Sequence, residues 1–548
     1  MPSLIYPLTA SLAVLTSAIL ALAIRARRRS LRTLQGPPSP SFLLGHEQEV
    51  TRLRKIGELE NNWYKQYGSV FRITGIFGEE ILHVSDPRAL QHICHKSVYR
   101  YKKPMDMVQQ SEKIFGPGIA TVNGDIHQRQ RKIMNPVFSA AQIRPFAQVF
   151  ETCAQSLIGK WRSAIESGAT SIDCFEHIHR MTFDAFGEAM FEFDFNATGR
   201  KDNLRDLLHN LFNDSVNPTQ LKMLRNASYR FLPKPVIALI SMWKTKEDKR
   251  FARWIAASQR VAKGLIAQKV DRSGAKKDQD ILSVIGRYDL SSLDVTDSSV
   301  LARSLAAEDP SKCLLPVEAL AQMTTITFAG YLTTPSALTW LLYELAYNPE
   351  WQAKLIQEIR EVRVQTGNDG PLAVKDLEGM PILNAAIKET LRLYPIAPDI
   401  VREAETNDVI PLDVPIADLS GALLKEIPVI QGQRVILNIF KYNRFESVWG
   451  DDSNVWNPKR YLDTDRPTTL GVYANVMTFS SGVRACIGWR FALLNLQVAT
   501  VALVETFELS PVEGIEIEHV RAGSNPPMVK GKWEAGPQLP LKVALRDA

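Results

Sequence analysis

A ten-residue stretch near the C-terminus, FSSGVRACIG from Phe479 to Gly488, sets one cysteine beside an arginine and between two glycines. Cys486 stands where an apolar segment with helical spacing begins, so unpaired backbone N–H groups and the positive end of a helix dipole face its sulfur. Both favour a thiolate over a thiol. Three functions are open at this point: a buried structural cysteine, a nucleophile, or a single thiolate ligand to haem iron.

The spacing of this stretch resembles the haem-binding loop of the cytochrome P450 superfamily: Phe, two residues, Gly, one residue, Arg, one residue, Cys, one residue, Gly. All five positions match, at Phe479, Gly482, Arg484, Cys486 and Gly488. The resemblance implies that Cys486 is the axial metal ligand of a haem b (iron protoporphyrin IX). The other four residues are then cofactor-binding residues of the same loop.

Two upstream segments resemble the same family in the expected order. KETLRLYP carries Glu389 and Arg392, three residues apart on one helix face, like the family's Glu-x-x-Arg pair. NPKRYL resembles the Pro-Glu-Arg-Phe segment, with Lys459 and Tyr461 as departures. The resemblance implies that Arg460 completes a three-way ion pair that supports folding and haem retention.

Basic residues are predicted at the haem carboxylates. GDIHQRQRK resembles the helix that lies along the haem, with His127 where many members have Trp and Arg131 one turn later. Arg402 follows the Glu-x-x-Arg helix like the family's other propionate-binding residue, and Arg484 lies in the cysteine loop. Guanidinium groups bind carboxylates in a bidentate way, which gives arginine a reason at these positions.

FAGYLTTP resembles the oxygen-binding segment of the family's long central helix. Ala329, Gly330, Thr333 and Thr334 match, and the resemblance implies that the last three are catalytic, with Thr333 assisting O–O bond cleavage. Leu332 occupies the position that usually holds an acid, and leucine cannot transfer a proton. Either water or substrate hydroxyls carry the proton, or the enzyme runs a variant reaction with less oxygen activation.

These residues require a helical scaffold. From about residue 125 to 348 the apolar spacing is helical, and residues 316–349 would form one long helix that is apolar nearly all round and therefore buried. Pro335 is expected to open that helix just before it. The C-terminal third adds short strands and a long irregular segment. We predict a mainly α fold with minor β, and the resemblance implies one large, roughly triangular domain with haem between the central helix and the cysteine-loop helix.

The N-terminus predicts a membrane anchor. Residues 4–24 carry no charged side chain, RARRRSLR follows, and such a run spans about 30 Å as a helix. The arginines place the rest of the chain in the cytoplasm. We predict an anchor helix at 1–24, a basic and Pro-rich linker at 25–46 and the catalytic domain at 47–548, in a single-pass arrangement at the endoplasmic reticulum membrane.

Composition excludes some functions. A net charge of +6 over 548 residues gives no support for nucleic-acid binding. Five cysteines, odd in number and without a CxxC pair, fit a reducing compartment better than a disulfide framework.

The resemblance implies a monooxygenase that inserts one atom of O2 into a lipophilic small molecule, by hydroxylation or epoxidation. Electrons would come from NADPH through NADPH-cytochrome reductase, with cytochrome b5 as a further candidate partner. Residues 101–118 and 396–401, together with Thr325 and Phe328, are expected to contact substrate. Asp399 is the one charged residue of the second segment and could meet an amine or hydroxyl. The stretch GVYANVMTFSSGVRACIGWRFAL resembles fungal members of the family. This resemblance favours a role in secondary metabolism such as terpenoid biosynthesis. A haem-thiolate isomerase or dehydratase, a fatty acyl hydroxylase and a haem sensor are the alternatives.

Overall fold

The computed structural model describes residues 31–51, 55–193, 207–208, 219–272, 314–367, 370–463 and 469–546. The predicted anchor at 1–24 lies outside these ranges. Within them, no helix combines the length and the apolar character needed to cross a membrane. The described part of the predicted linker packs onto the protein, because Leu31 and Leu34 are buried and Leu34 forms a β-bridge with Asp418.

Helices make up most of the described chain. In the N-terminal half they are α1 (Glu47–Thr51), α2 (Glu58–Tyr67), α3 (Pro87–Gln91), α4 (Met105–Phe115), α5 (Gly124–Met134), α6 (Ala140–Ile143), α7 (Ala147–Glu166), α8 (Cys174–Phe191), α9 (Gln220–Phe231), α10 (Lys234–Ser241) and α11 (Lys246–Arg272). In the C-terminal half they are α12 (Pro316–Tyr347), α13 (Pro349–Thr366), α14 (Val374–Glu378), α15 (Pro381–Leu393), α16 (Ile439–Tyr442), α17 (Glu446–Trp449) and α18 (Trp489–Thr506).

Strands form four small sheets. They are β1 (Val70–Thr74), β2 (Glu80–Val84), β3 (Tyr101–Lys102), β4 (Ile172–Asp173), β5 (Asp399–Ala404), β6 (Asp408–Ala417), β7 (Leu423–Val429), β8 (Arg434–Asn438), β9 (Phe507–Pro511), β10 (Ile517–His519), β11 (Pro527–Val529) and β12 (Pro540–Leu545). The largest sheet has the order β1-β2-β8-β5-β3, in which β2 and β8 are parallel and the other pairs antiparallel. This sheet brings β5, and with it Arg402, next to β3.

The long helix α12 runs through the main core, as its all-round apolar sequence predicts. It packs against α8, α11, α15 and α18, and most of its side chains are buried. Pro316 occupies the first helical turn, where a missing N–H costs nothing. The Glu318 carboxylate accepts a hydrogen bond from the Leu315 N–H at 2.9 Å, which caps the same end. The helix is continuous through Pro335 and does not open before it.

A buried network of five charges ties α9 to the rest of the N-terminal part. The Arg230 guanidinium lies 2.6 Å from carboxylate oxygens of Glu47 and of Asp106, and 3.2 Å from Glu79. The Arg434 guanidinium lies 2.7 Å from Asp106 and 3.6 Å from Glu79. Three carboxylates and two guanidiniums from five separate segments therefore meet in one place. Apolar packing of α9 is limited to a small separate cluster.

Candidate functional site

The cysteine loop has a tight, strained geometry. Ser480 and Gly482 both have positive φ, at 60° and 65°. A Cβ at Gly482 would lie 2.0 Å from the Cys94 carbonyl oxygen, so only glycine fits there. The Cys486 N–H donates to the Phe479 carbonyl at 2.8 Å and closes the loop before α18 begins. Gly482, Phe479 and Cys486 are all positions of the sequence motif.

The Cys486 thiol is accessible to solvent, although many protein atoms lie around it. Its side chain is exposed, whereas Ala485 beside it is buried. Burial nevertheless raises the pKa of the Cys486 thiol, and a hydrogen bond from the Gly488 N–H and the charge of Arg131 only partly oppose this. Desolvation thus outweighs the helix terminus, which reverses the sequence-based expectation that the terminus favours the thiolate. The accessible surface therefore belongs to an internal cleft.

The middle of α12 opens toward a cleft in the same way. Ala329 and Thr333, one turn apart, are exposed, whereas Phe328 and Gly330 are half-buried and Leu332 and Thr334 are buried. The Thr333 hydroxyl donates to the Ala329 carbonyl at 2.7 Å. Gly330 faces the Phe186 ring, where a Cβ would come within 2.5 Å, and Thr334 is buried. Thr333 is thus the predicted catalytic residue whose side chain is accessible.

Four predicted basic residues lie close enough to act on one another. The pKa of His127 falls to about 3, mainly through burial and then through the charges of Arg484, Lys103, Arg131 and Arg402. Burial also lowers the pKa of Arg402 to about 10. Within the part of the chain that the structure describes, no carboxylate forms an ion pair with any of these five residues, and only the exposed Glu405 acts on Arg484 through its charge. We call these five residues the basic cluster.

Arg484 shows most directly that the basic cluster suits an anion. Its Nη2 donates to the Asn123 side-chain oxygen at 3.0 Å, and its guanidinium lies 5.6 Å from the centre of the Tyr99 ring. Its Nε and Nη1 are buried and have no hydrogen-bond partner. Buried N–H groups are normally paired, so these two donors fit the carboxylates of a cofactor.

Arg131 differs from the other predicted carboxylate-binding residues. Its Nη1 donates to the Ala485 carbonyl at 2.5 Å and its Nε to the Asn135 side chain at 2.8 Å. These bonds hold the guanidinium next to the peptide that precedes Cys486. Arg131 thus joins α5 to the cysteine loop and also lowers the pKa of the thiol.

Sequence reasoning missed Lys103 and Asn123. Lys103 Nζ donates to the carbonyls of Ile119 and Ala120 at 3.0 and 2.6 Å, and burial lowers its pKa to about 6. The Asn123 side chain bonds the backbone of Lys103 in both directions and also Arg484. Nothing in the local pattern distinguishes Lys103 from its neighbour Lys102, because the fold alone brings residues 103, 123 and 484 together.

The predicted three-way ion pair is present. The Arg392 guanidinium makes two hydrogen bonds to the Glu389 carboxylate, at 2.7 and 2.8 Å, and both side chains are fully buried. Arg460 approaches the same carboxylate at 3.4 Å. Arg392 also donates to the carbonyls of Asn443 and Ser453 in the irregular segment. These contacts fasten that segment to α15, as expected for a structural role.

The expected substrate-contact residues include two aromatic rings that meet. The rings of Phe115 and Phe328 meet edge to face with centres 4.9 Å apart, joining α4 to α12. Asp399 is not available to a substrate amine, because its carboxylate lies 2.6 Å from the Arg521 guanidinium. Arg521 comes from a strand-flanking position 122 residues later, which no local pattern predicts.

The cytochrome P450 family model matches residues 35–528, and the chain belongs to the cytochrome P450 family. Cytochrome P450 monooxygenase 205 of Postia placenta is 30% identical over 97% of this chain and 96% of its own length. Cytochrome P450 monooxygenase 128 of the same fungus is 31% identical over 94% and 92%. The ganoderic acid synthetase of Ganoderma lucidum is 30% identical over 94% of each chain. The predicted family, its likeness to fungal members and the mainly helical fold class are thereby confirmed.

The described residues fit the haem that this family implies. An accessible thiol at Cys486, an accessible patch at Ala329 and Thr333, and two unpartnered donors on Arg484 supply a ligand, an open face and a partner for carboxylates. Within the described residues, no group of three or more His, Cys, Asp or Glu could hold a metal ion without a cofactor.

Proposed function

We propose that this protein is a haem-thiolate monooxygenase that inserts one oxygen atom from O2 into a lipophilic small molecule. The observation that carries the proposal is the accessible thiol of Cys486 beside a basic cluster whose members lack carboxylate partners in the described chain. A haem brings both an iron for the thiolate and two carboxylates for the hydrogen-bond donors of the basic cluster. Family membership supports the same conclusion.

Each site residue has a part in this scheme. Cys486 would supply the thiolate that holds the iron, and His127, Arg131, Arg402 and Arg484 would hold the two carboxylates. When bound, the haem supplies the iron centre that activates O2. Phe479, Gly482 and Gly488 shape the loop, in that the Phe479 carbonyl fixes the Cys486 N–H and the Gly488 N–H bonds its sulfur.

Thr333 would position protons on the other side of the cleft. Its hydroxyl is accessible and donates to the Ala329 carbonyl, so its oxygen keeps lone pairs that accept a hydrogen bond from water. Leu332 is buried and has no proton to give. Ordered water or a substrate hydroxyl would therefore deliver protons to Thr333.

The substrate is proposed to be lipophilic and to belong to secondary metabolism, for example a terpenoid. The aromatic and aliphatic lining around Phe115 and Phe328 supports the first point. The similarity to a ganoderic acid synthetase supports the second. Fatty acyl chains would suit the same lining.

Electrons are proposed to come from NADPH through NADPH-cytochrome reductase, with cytochrome b5 as a further donor. The uncharged run at residues 4–24, followed by arginines, supports a single-pass location at the endoplasmic reticulum membrane with the catalytic domain in the cytoplasm. Selective permeabilisation of cells expressing a C-terminally tagged chain tests this orientation. A tag protected from external protease would contradict it.

A haem-thiolate isomerase or dehydratase is the second candidate, and Leu332 is the observation that favours it. Such a reaction consumes no external electrons. Measuring NADPH oxidation against product formation separates the two: a one-to-one ratio supports the monooxygenase, whereas product formed without NADPH supports the alternative.

The absorption spectrum of the reduced, carbon monoxide-bound protein tests the proposed function itself. We expect the wild-type chain to show thiolate-type absorption and Cys486→Ser to lose it. Cys153→Ser is the matched control, since Cys153 is a half-buried thiol on α7 outside the cleft. A colourless wild type after haem supplementation, or a Cys486→Ser variant that keeps the thiolate spectrum, contradicts the proposal.

A further inference from the structure

A turn of π-helix, His92–Lys96, packs against the cysteine loop. This geometry is rare and is often found at functional sites. The His95 imidazole Nε2 lies 2.5 Å from the Ser481 hydroxyl oxygen and 2.9 Å from the Leu470 carbonyl oxygen. A carbonyl oxygen only accepts, so Nε2 carries a proton. The Ser481 hydroxyl donates to the same Leu470 carbonyl, so the single hydrogen on His95 Nε2 is shared between the Ser481 hydroxyl oxygen and the Leu470 carbonyl oxygen.

The same turn touches the cysteine loop at the next residue as well. The Cys94 carbonyl oxygen lies only 2.0 Å from the place that a Cβ on Gly482 would occupy. The backbones of the π-turn and the loop are therefore in direct contact. Two consecutive residues of the π-turn thus hold two consecutive residues of the loop. The Ser481 side chain is buried between them.

The contacts of the π-turn with Ser481 and Gly482 lie inside the segment that sets the position of the Cys486 sulfur. The hydrogen bond from the Cys486 N–H to the Phe479 carbonyl closes a ring of eight residues that contains Ser481 and Gly482. Ser480, next to Ser481, has a positive φ of 60°, which residues other than glycine rarely adopt. A strained conformation persists only where surrounding contacts determine it. Loss of the hydrogen bond to Ser481 would therefore let the ring relax and move the sulfur.

We propose that His95 is a positioning residue for the Cys486 thiolate, acting through Ser481. The inference rests on the proposed haem-thiolate function and adds a residue to it. His95 holds the strained Ser480–Ser481 backbone, and through the closed ring it keeps the Cys486 sulfur and the Gly488 N–H in line. It acts from outside the loop, through hydrogen bonds to Ser481 and Leu470.

His92 provides the matched control, because it lies on the same turn and faces away from the loop. Its Nε2 lies 2.9 Å from the Asp408 carboxylate and 3.0 Å from the Ser97 hydroxyl. Replacing His92 disturbs the π-turn without touching Ser481. A general effect of the turn on folding would therefore appear in both variants, and an effect on the sulfur only at position 95.

The test uses the full-length, haem-loaded protein with His95→Ala, His95→Gln, Ser481→Ala and His92→Ala. The readouts are the rate at which the thiolate-type spectrum of the carbon monoxide complex is lost in mild urea, the reduction potential, and the thermal unfolding midpoint. We expect His95→Ala and Ser481→Ala to lose the thiolate spectrum about fivefold faster than wild type, the factor that one hydrogen bond of average strength supplies. His95→Gln, which keeps a donor, should restore most of the wild-type rate, and both alanine variants should shift the potential.

Wild-type rates and potential in His95→Ala would overturn the inference, as would an equal effect of His92→Ala. A lower unfolding midpoint in His95→Ala with an unchanged spectrum and potential would also overturn it, because His95 would then be only structural. A wild-type protein without a thiolate spectrum would instead defeat the proposed function, before any variant is compared.

Discussion

Two groups of arginines, one buried and one half-buried, differ in what they are paired with. Around Glu389, the guanidiniums of Arg392 and Arg460 share one carboxylate and several backbone carbonyls of the described chain. Around Arg484, the members of the basic cluster have no carboxylate in an ion pair within the described residues, and two Arg484 donors are unpartnered. The first group is complete within the protein, whereas the second is arranged for an anion that the protein chain does not supply.

The difference predicts opposite responses to mutation. A buried charge stabilises a fold only when its partner is present, and removing one partner leaves an uncompensated charge. Breaking the first group should therefore harm folding. Removing a cation from the second group should leave the stability of the chain unchanged and weaken cofactor binding. No carboxylate of the described chain is left without its partner in that case.

Glu389→Gln should have the largest effect. It keeps the shape of the side chain and removes the carboxylate that Arg392 and Arg460 share, so we expect a loss of about 3–5 kcal/mol in the free energy of unfolding. Urea unfolding measures this, with Glu426→Gln on the exposed side of β7 as the control. Equal unfolding midpoints for the two variants would show that the network contributes no net stability.

Arg402→Met should have the next largest effect, and on cofactor binding. Hydrogen bonds to charged groups contribute about 1.5–3 kcal/mol, so haem should dissociate about 10- to 100-fold faster. Stability of the haem-free chain should stay equal or rise, because burial already lowers the pKa of Arg402 to about 10 and so disfavours its charged form. Transfer of haem to an excess of a scavenger protein measures dissociation.

The control for that experiment is Lys102→Met on β3, since Lys102 faces Glu403 and Glu405 instead of the basic cluster. A large loss of stability in haem-free Arg402→Met, or unchanged haem dissociation, would remove the contrast between the two groups.

Glu344→Gln should have the smallest effect and a defined pH dependence. Burial raises the pKa of Glu344 from 4.5 to about 7, although Tyr394 and Asn348 donate hydrogen bonds to it. Between these pH values the folded protein binds more protons than the unfolded chain, so stability falls as pH rises through the window. Glu344→Gln removes this loss, and we expect a gain of about 1–2 kcal/mol at pH 8 and none at pH 4.

Unfolding midpoints measured across pH check this, with the exposed Glu350→Gln as the control. Parallel pH profiles for wild type and Glu344→Gln would show that the buried carboxyl does not titrate in that window. Glu344 could then not serve as an acidic group to compare with the shifted pKa values of the basic cluster.

The sequence predicted the parts of the site that lie on continuous segments. The resemblance to family motifs singled out Cys486 and its loop, the helix through Thr333, and the pairing of Glu389 with Arg392, because each motif is contained within about ten residues. The sequence also predicted α12 as a buried helix, since a helix that is apolar on all sides has no solvent face.

Contacts between distant segments could not be predicted in the same way. Lys103, Asn123 and the π-turn around His95 reach the site only through the arrangement of the sheet and α5. The pKa of Cys486 was expected to fall because a helix terminus is visible in the sequence, whereas the burial that raises it depends on the tertiary structure. Asp399 looked available to a substrate for the same reason.

The five-charge network beneath α9 has a consequence for folding fidelity. Its members, Arg230, Arg434 and three carboxylates, come from segments between residues 47 and 434, and no subset of these segments pairs every charge. A chain with one segment docked out of place leaves a buried charge without a partner, which costs several kcal/mol. Apolar side chains tolerate a shifted neighbour far better. Near-native misfolded arrangements of the N-terminal part are therefore penalised by these charges in a way that hydrophobic packing cannot match.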